Sequence, residues 1–267
     1  MKDNSILNFR SISLFILISA ALFPASTFAV TDEEIPVPIQ RFSTYGQILW
    51  HGNRNLPEVA LTFDDGPSAQ FTPQILDILK KYGVKATFFV LGENIEKNAD
   101  IISREAAEGH EIGNHTYSHL EERSNDVDFM KNEIINTNIL IKKYSGKSPR
   151  YFRPPYGPEN WRFLDEAELL NYSIILWGVD VRDWDSKVTS DDISSQIIKY
   201  GRNGSIILLH DGGTSREVTV DALPAVIEGL RKKGIGFVTI DEMVEHLKYR
   251  GPEDEPVKER LKKKLTI

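Results

Sequence analysis

Residues 59–90 read VALTFDDGPSAQFTPQILDILKKYGVKATFFV, and the fold class follows from them outward. Val59-Ala60-Leu61-Thr62-Phe63 is a short apolar and β-branched run that stops at Asp64-Asp65-Gly66-Pro67, the composition of a buried strand entering a turn. Thr72 to Tyr82 carries Ile75, Leu76, Ile78 and Leu79 at helical spacing and stops at Gly83, so an amphipathic helix follows. Ala86-Thr87-Phe88-Phe89-Val90 is a second strand. A helix between two strands implies parallel pairing, because the crossover must return the chain to the same end of the sheet.

The alternation continues. His110 to Gly113, Ser173 to Trp177, Ser205 to Leu209 and Phe237 to Ile240 read as strands. Helices are predicted over Ala99 to Glu108, over Val127 to Tyr144 with Ile134, Ile135, Asn138 and Ile141 on one face, and near 160–171, 190–200 and 217–233. Six or seven such units in one stretch predict a single α/β domain with barrel-like (β/α) closure, an open doubly wound sheet being the alternative. In either architecture reactive groups gather where strands end and loops begin.

Composition narrows the function. The chain has 267 residues, 32 Lys+Arg against 39 Asp+Glu, a net charge of −7 and no cysteine. A disulfide scaffold, a zinc ribbon, an iron–sulfur site and a thiol nucleophile are all excluded. An acidic balance argues against nucleic acid as the partner. Residues 1–29 are expected to be a signal peptide: Lys2 and Arg10, an apolar run from Ser11 to Phe23, then small residues up to Ala29. That run is shorter than the roughly 20 residues a bilayer span needs, so no stable membrane span is expected after cleavage. Export to the bacterial envelope, periplasm or exterior follows. Residues 30–57 hold three prolines and no sustained period and read as an N-terminal leader. The domain proper is placed at 58–248, with a charged tail at 249–267 that is basic in Val257 to Ile267.

Five polar clusters fall at predicted strand ends. In Thr62-Phe63-Asp64-Asp65-Gly66-Pro67 two adjacent carboxylates can face one site only if the strand ends there; the same residues are also common turn punctuation. In His115-Thr116-Tyr117-Ser118-His119 the i, i+4 histidines, if on a helical turn, share one side at chelating separation. Three of the six histidines, His110, His115 and His119, lie within ten residues. Two His and one Asp suit a catalytic zinc with metal-bound water as nucleophile, although the same set also holds ferrous iron. Arg153-Pro154-Pro155-Tyr156-Gly157 is a stiff loop with a permanent cation, able to hold a carboxylate ionised or simply to connect two elements. Asp180-Val181-Arg182-Asp183-Trp184 sets a carboxylate beside an aromatic. Leu208-Leu209-His210-Asp211 delivers a histidine to the rim, as a general acid or as a strand cap.

Together these clusters resemble the polysaccharide deacetylase family, the NodB-homology domain of carbohydrate esterase family 4. The resemblance spans about Trp50 to His246, with TFDDGP, HTYSH, RPPYG, DVRDW and LLHD in order. It implies a distorted (β/α) barrel and a metal-dependent hydrolase removing N-acetyl groups from N-acetylglucosamine-containing polysaccharide, peptidoglycan first and chitin-type oligosaccharides next. Residue by residue it implies Asp65, His115 and His119 as ligands of one divalent metal, zinc ahead of cobalt or nickel. Asp64 would be the base and His210 the acid. Arg153 would tether Asp64, Asp183 would orient His210, Tyr156 would offer a backbone N–H to the oxyanion, and Trp184 and Leu208 would shape the acetyl pocket. The alternatives are O-acetyl ester hydrolysis, as on xylan, and an inactive carbohydrate-binding protein, which the presence of base, acid and all three ligands disfavours.

Overall fold

A computed structural model describes residues 48–120, 126–159 and 161–247; the predicted signal segment, most of the leader and the charged tail lie outside them. Nine strands form one sheet: β1 (Ile48–Leu49), β2 (Glu58–Asp64), β3 (Thr87–Val90), β4 (Glu111–Asn114), β5 (Tyr151–Phe152), β6 (Ser173–Ile175), β7 (Val179–Asp180), β8 (Ser205–His210) and β9 (Gly236–Phe237). Their order is β1-β6-β5-β4-β3-β2-β8-β7, with β9 on β2, and every strand pair is parallel.

β6 and β7 are two pieces of one bent segment. β6 pairs with β5, whereas β7 pairs with β8. Between them the Leu176 N–H donates to the Leu49 carbonyl and the Gly178 N–H to the Ile206 carbonyl. The sheet therefore curls back on itself through an irregular join, which makes the barrel distorted. Ile48–Leu49, within the stretch read as a leader, lies on β6, and a single antiparallel bridge from His51 to Ser205 ties the following turn to β8.

Alternation along the strands separates two layers. Val59, Leu61 and Phe63 of β2 join Phe88, Val90, Ile207 and Leu209 in the outer core. That core is covered by α1 (Thr72–Tyr82), α2 (Gly92–Lys97), α3 (Ala99–Ala107), α4 (Val127–Ser145), α6 (Ser190–Tyr200) and α7 (Glu217–Lys232), while α5 (Trp161–Leu169) packs with Ile134 of α4 on Phe152 and Ile174 in a separate cluster. Residues of the opposite parity, Ala60, Phe89, Tyr151, Ile175 and Ile206, pack inside the barrel with Ile240 and Met243. Truncating Phe89 to Ala would cost about 3–5 kcal/mol by the usual cavity argument.

The last predicted strand differs from the observed one. Only Gly236–Phe237 pairs; Ile240–His246 is a short helix, α8, opened by a reciprocal capping box between Thr239 and Glu242. Its Ile240 N–H donates to Thr87 Oγ1 (2.9 Å), and His246 Nδ1 lies 2.8 Å from buried Glu58. Because Glu58 and Thr87 begin their strands, α8 plugs the N-terminal end of the barrel. The C-terminal end is left for chemistry.

Candidate active site

β2 and β8 run in register, with Thr62 opposite Leu208 and Asp64 opposite His210. Thr62 and Asp64 share one parity of β2, Leu208 and His210 one parity of β8, so all four belong to the inner face. Moving up this face, the apolar filling gives way to polar groups at the rim.

Asp64 is 3 % exposed and closes its strand. Its Oδ1 accepts from Arg153 Nη1 at 2.7 Å. Arg153 is wholly buried, and its other N–H groups reach Thr62 Oγ1 (2.8 Å) and the carbonyls of Ile175 (3.1 Å) and Leu176 (3.4 Å). The guanidinium also lies 4.1 Å from the Phe89 ring centre, a cation–π contact shielded from water. Burial pushes the Asp64 carboxyl above the ordinary carboxylate range, and the charges of Arg153 and His210 pull it partly back. Arg153 thus opposes a larger desolvation effect.

Asp65 reaches the same site by a different device. β2 ends at Asp64, and Asp65 adopts a left-handed backbone (φ 71°) that turns its side chain back toward the rim. Such a conformation costs a non-glycine residue about 1–3 kcal/mol and persists only where neighbours enforce it. The Asp65 carbonyl accepts from Asn94 Nδ2 (2.8 Å), and the Gly66 carbonyl accepts from the Leu91 N–H (2.9 Å). The turn is also docked on the end of β8. The N–H groups of Asp211 (3.0 Å) and Gly212 (3.3 Å) both donate to the Asp64 carbonyl. A Cβ at Gly212 would sit 1.9 Å from the Asp65 carbonyl oxygen, so only glycine allows this approach. Asp211 itself is buried, takes a 2.5 Å hydrogen bond from Thr72 Oγ1, and is pushed up to about 7, chiefly by burial.

The expected helical turn carrying both histidines is not formed. His115 to Leu120 is irregular, and Thr116 (φ 72°) and His119 (φ 52°) are both left-handed. The loop is held by side chains: Asn114 Oδ1 accepts from the Thr116 N–H (2.9 Å), and Thr116 Oγ1 accepts from the His119 N–H (3.2 Å). It still brings both imidazoles to Asp65. His115 Nε2 is 3.6 Å and His119 Nε2 3.3 Å from Asp65 Oδ1. Ligands about 2.0–2.2 Å from a tetrahedral zinc stand about 3.4 Å apart, so these separations fit one ion. Two further observations agree. Asp65 Oδ1 is buried and has no hydrogen-bond partner. His115 Nδ1–H donates to the Arg153 carbonyl (2.6 Å), leaving the Nε2 lone pair toward Asp65. Burial first, then the nearby His119 charge, pushes His115 down to about 3, so it is held neutral, the form that ligates metals.

His110 does not take part. It precedes β4 at the opposite end of that strand from His115, its ring edge-on to Phe88 and its Nδ1 accepting from the Ala86 N–H. Burial lowers it to about 4; it is a core histidine.

Across the site, His210 Nδ1 is 2.7 Å from Asp183 Oδ1, while Asp183 Oδ2 accepts from the His210 N–H (2.8 Å) and Thr219 Oγ1 (2.8 Å). Burial alone would lower His210, but the hydrogen bond and charge of Asp183, followed by Asp64 and Asp65, outweigh it and raise the imidazole to about 9. Asp183 moves the other way: burial would raise it, and its hydrogen bonds and the His210 charge bring it below the ordinary value. Arg182 (φ 55°) makes the turn that buries Asp183, its N–H donating to Asp180 Oδ1 (2.8 Å).

The remaining predicted residues line the rim. Tyr156, left-handed at φ 62° and exposed, sets its ring 4.9 Å from that of His119. Trp184 is exposed beneath the Arg182 guanidinium (4.9 Å), and buried Leu208 lies two residues below His210 on the same parity of β8. Of the six non-glycine residues with positive φ among the described residues, five belong to these site loops. Glu133 and Thr219 lie outside the five sequence clusters, and Asp211 lies within one without an assigned role, yet each holds a site loop or a site side chain.

Residues 51–175 match the sequence family described as polysaccharide deacetylase. A peptidoglycan-N-acetylglucosamine deacetylase of Bacillus cereus is 45 % identical over 200 residues, covering 74 % of this chain and 72 % of that protein. The crystal structure of a peptidoglycan N-acetylglucosamine deacetylase in complex with 4-naphthalen-1-yl-N-oxidanyl-benzamide superposes with a TM-score of 0.71 at 44 % identity, over 75 % of this chain and 94 % of the other. A family 4 acetyl xylan esterase from Clostridium thermocellum, in complex with a cobalt ion, gives 0.64 at 38 % identity, over 70 % and 90 %.

Proposed function

The chain belongs to the polysaccharide deacetylase family, and from that premise we propose that it hydrolyses N-acetyl groups on N-acetylglucosamine-containing polysaccharide, with peptidoglycan the leading substrate and chitin-type oligosaccharides next. The observation that carries this reading is the pairing of Asp64 and His210 across β2 and β8, with Asp65, His115 and His119 clustered beside them. Amide hydrolysis needs a base for water and a proton for a poor leaving group, and that pairing sets one of each on adjacent strands.

Asp65, His115 and His119 would hold one divalent metal, zinc ahead of cobalt or nickel. When bound, it supplies a Lewis acid that lowers the pKa of coordinated water and polarises the acetyl carbonyl. Asp64 removes the proton from the attacking water; its raised proton affinity suits that task. Arg153 fixes which carboxylate oxygen is free, because Oδ1 is engaged by the guanidinium. Tyr156, at the rim beside His119, would offer its backbone N–H to the oxyanion that develops at the acetyl carbonyl. As the C–N bond breaks, His210 delivers its proton to the sugar nitrogen, and acetate and a free amine result. Asp183 keeps that imidazole charged and oriented, and Leu208 and Trp184 wall the space for the acetyl methyl. A cell-wall substrate requires export, as the composition of residues 1–29 suggests.

The test is acetate release from peptidoglycan, chitooligosaccharides and acetylxylan, with and without a chelator, beside Asp64→Asn. Release from the first two that is abolished by chelation and cut by about 10²–10⁴-fold in the variant is expected. Release that survives both treatments would overturn the mechanism. Release from acetylxylan alone would favour ester hydrolysis, the activity named for the Clostridium thermocellum relative.

A further inference from the structure

Glu133 lies on α4, outside the five sequence clusters, and only 7 % of it is exposed. Its Oε2 gathers three hydrogen bonds, from the Tyr117 N–H (3.0 Å), the Ser118 N–H (2.8 Å) and the Ser118 hydroxyl (3.0 Å). All three donors belong to the loop between His115 and His119. That loop contains two left-handed non-glycine residues, Thr116 and His119, a conformation it would not keep unbraced.

The brace is rigidly mounted. Ile134 and Ile141 bury the same face of α4, Thr137 Oγ1 donates to the Glu133 carbonyl (2.9 Å), and Asn114 Nδ2 donates to the Ile134 carbonyl (2.8 Å). On its other side the loop is held through its backbone, by the Gly92 N–H to the Thr116 carbonyl (3.1 Å) and the Glu93 N–H to the Tyr117 carbonyl (3.0 Å). Those bonds set the first half of the loop. The hydrogen bonds at Ser118, directly before His119, come from Glu133.

We infer that Glu133 is a positioning residue of the metal site: its carboxylate fixes the Tyr117–Ser118 backbone and so holds the His119 imidazole at chelating distance from Asp65. This rests on the metal-binding reading above. Glu133 is not part of the Asp65, His115 and His119 cluster; it acts through the loop.

The direct measurement is the zinc affinity of the full-length chain, by competition with a chromogenic chelator and without substrate. Glu133→Ala should weaken zinc binding by about 10–100-fold, the usual effect of removing a group that orients a ligand. Glu133→Gln keeps an acceptor oxygen at the same reach and should restore most of that loss. Glu133→Asp keeps the charge but retracts it by one methylene, and should bind zinc more weakly than Glu133→Gln. This order separates reach from charge, and it stands even where the alanine variant does not fold. Unchanged zinc affinity in folded Glu133→Ala, or Asp outperforming Gln, would overturn the inference. Acetate release is read separately. An unaltered chain that binds zinc but releases no acetate would sink the proposed function while leaving the order of affinities to judge Glu133.

Discussion

The proposed base, Asp64, and the proposed acid, His210, solve one electrostatic problem with opposite partners. On the base side, buried Asp64 is matched with Arg153, a cation that does not titrate in the working range and is fixed by carbonyls and a hydroxyl. On the acid side, His210 is matched with Asp183, and both partners titrate. A base in a dry site needs a permanent counter-charge, because burial already drives its proton affinity up. An acid needs a partner that holds its proton yet lets it go, and a carboxylate supplies that through one hydrogen bond. The base side is therefore rigid and expensive to disturb; the acid side is tunable by pH.

The largest effect is expected from Arg153→Met, which keeps much of the side-chain bulk but removes the counter-charge hydrogen-bonded to buried Asp64. Breaking one partner of a buried pair costs about 3–5 kcal/mol, so the urea midpoint should fall sharply at pH 7. The loss should shrink as pH falls, because an Asp64 no longer held by Arg153 can be neutralised by protonation. Arg153→Lys should recover little, since an ammonium cannot serve Asp64, Thr62 and two carbonyls in one plane. A lysine variant as stable as the unaltered chain would show the base side to be less rigid than described.

Asp183→Asn acts on the other side and should alter pH dependence more than stability. The folded imidazole sits at about 9, above its ordinary 6.5. Its stabilising charge is therefore fully present below about 6.5 and lost as pH rises through about 9. Asp183 contributes above its ordinary 3.8 and loses that contribution as pH falls through its lowered folded value. With the carboxylate replaced by an amide, the alkaline limb of kcat/KM should move down by about 1–3 pH units, so the activity loss is greater at pH 8 than at pH 6. An unmoved alkaline limb would dissociate it from His210.

The same contrast explains what the sequence disclosed. Groups at strand ends were legible, because a strand's parity and its end decide where Asp64 and His210 point. The parallel alternation was legible for the same reason, down to Gly83 closing α1 in left-handed conformation. What escaped depends on long-range fit. The buried face of α4 runs Met130, Glu133, Ile134, Thr137, Ile141; its two polar members broke the apolar period and hid the brace. Thr116 and His119 adopt positive φ without glycine, so nothing local announced that the histidine pair lies on a loop and not on a helical turn. α8 was short enough for its apolar start to pass as strand, although Thr239-Ile240-Asp241-Glu242 carries the capping-box pattern.

Thr219 offers the smallest and most discriminating test of the acid side. Its hydroxyl donates to Asp183 Oδ2, the oxygen that also accepts the His210 N–H, while Oδ1 serves the imidazole. That donation spreads the carboxylate's charge and weakens its hold on the His210 proton. Thr219→Val preserves the shape but removes the donor, at a stability cost of about 1 kcal/mol. The charge left on Asp183 should then hold the imidazolium more tightly, and the alkaline limb should rise by roughly 0.3–0.7 unit, the pKa equivalent of about half to one kcal/mol. The direction is opposite to that of Asp183→Asn, although both substitutions remove a polar group from the same network. Limbs that shift the same way in the two variants would mean that Asp183 acts by orientation alone; opposite shifts would mean that its charge sets the proton affinity of His210.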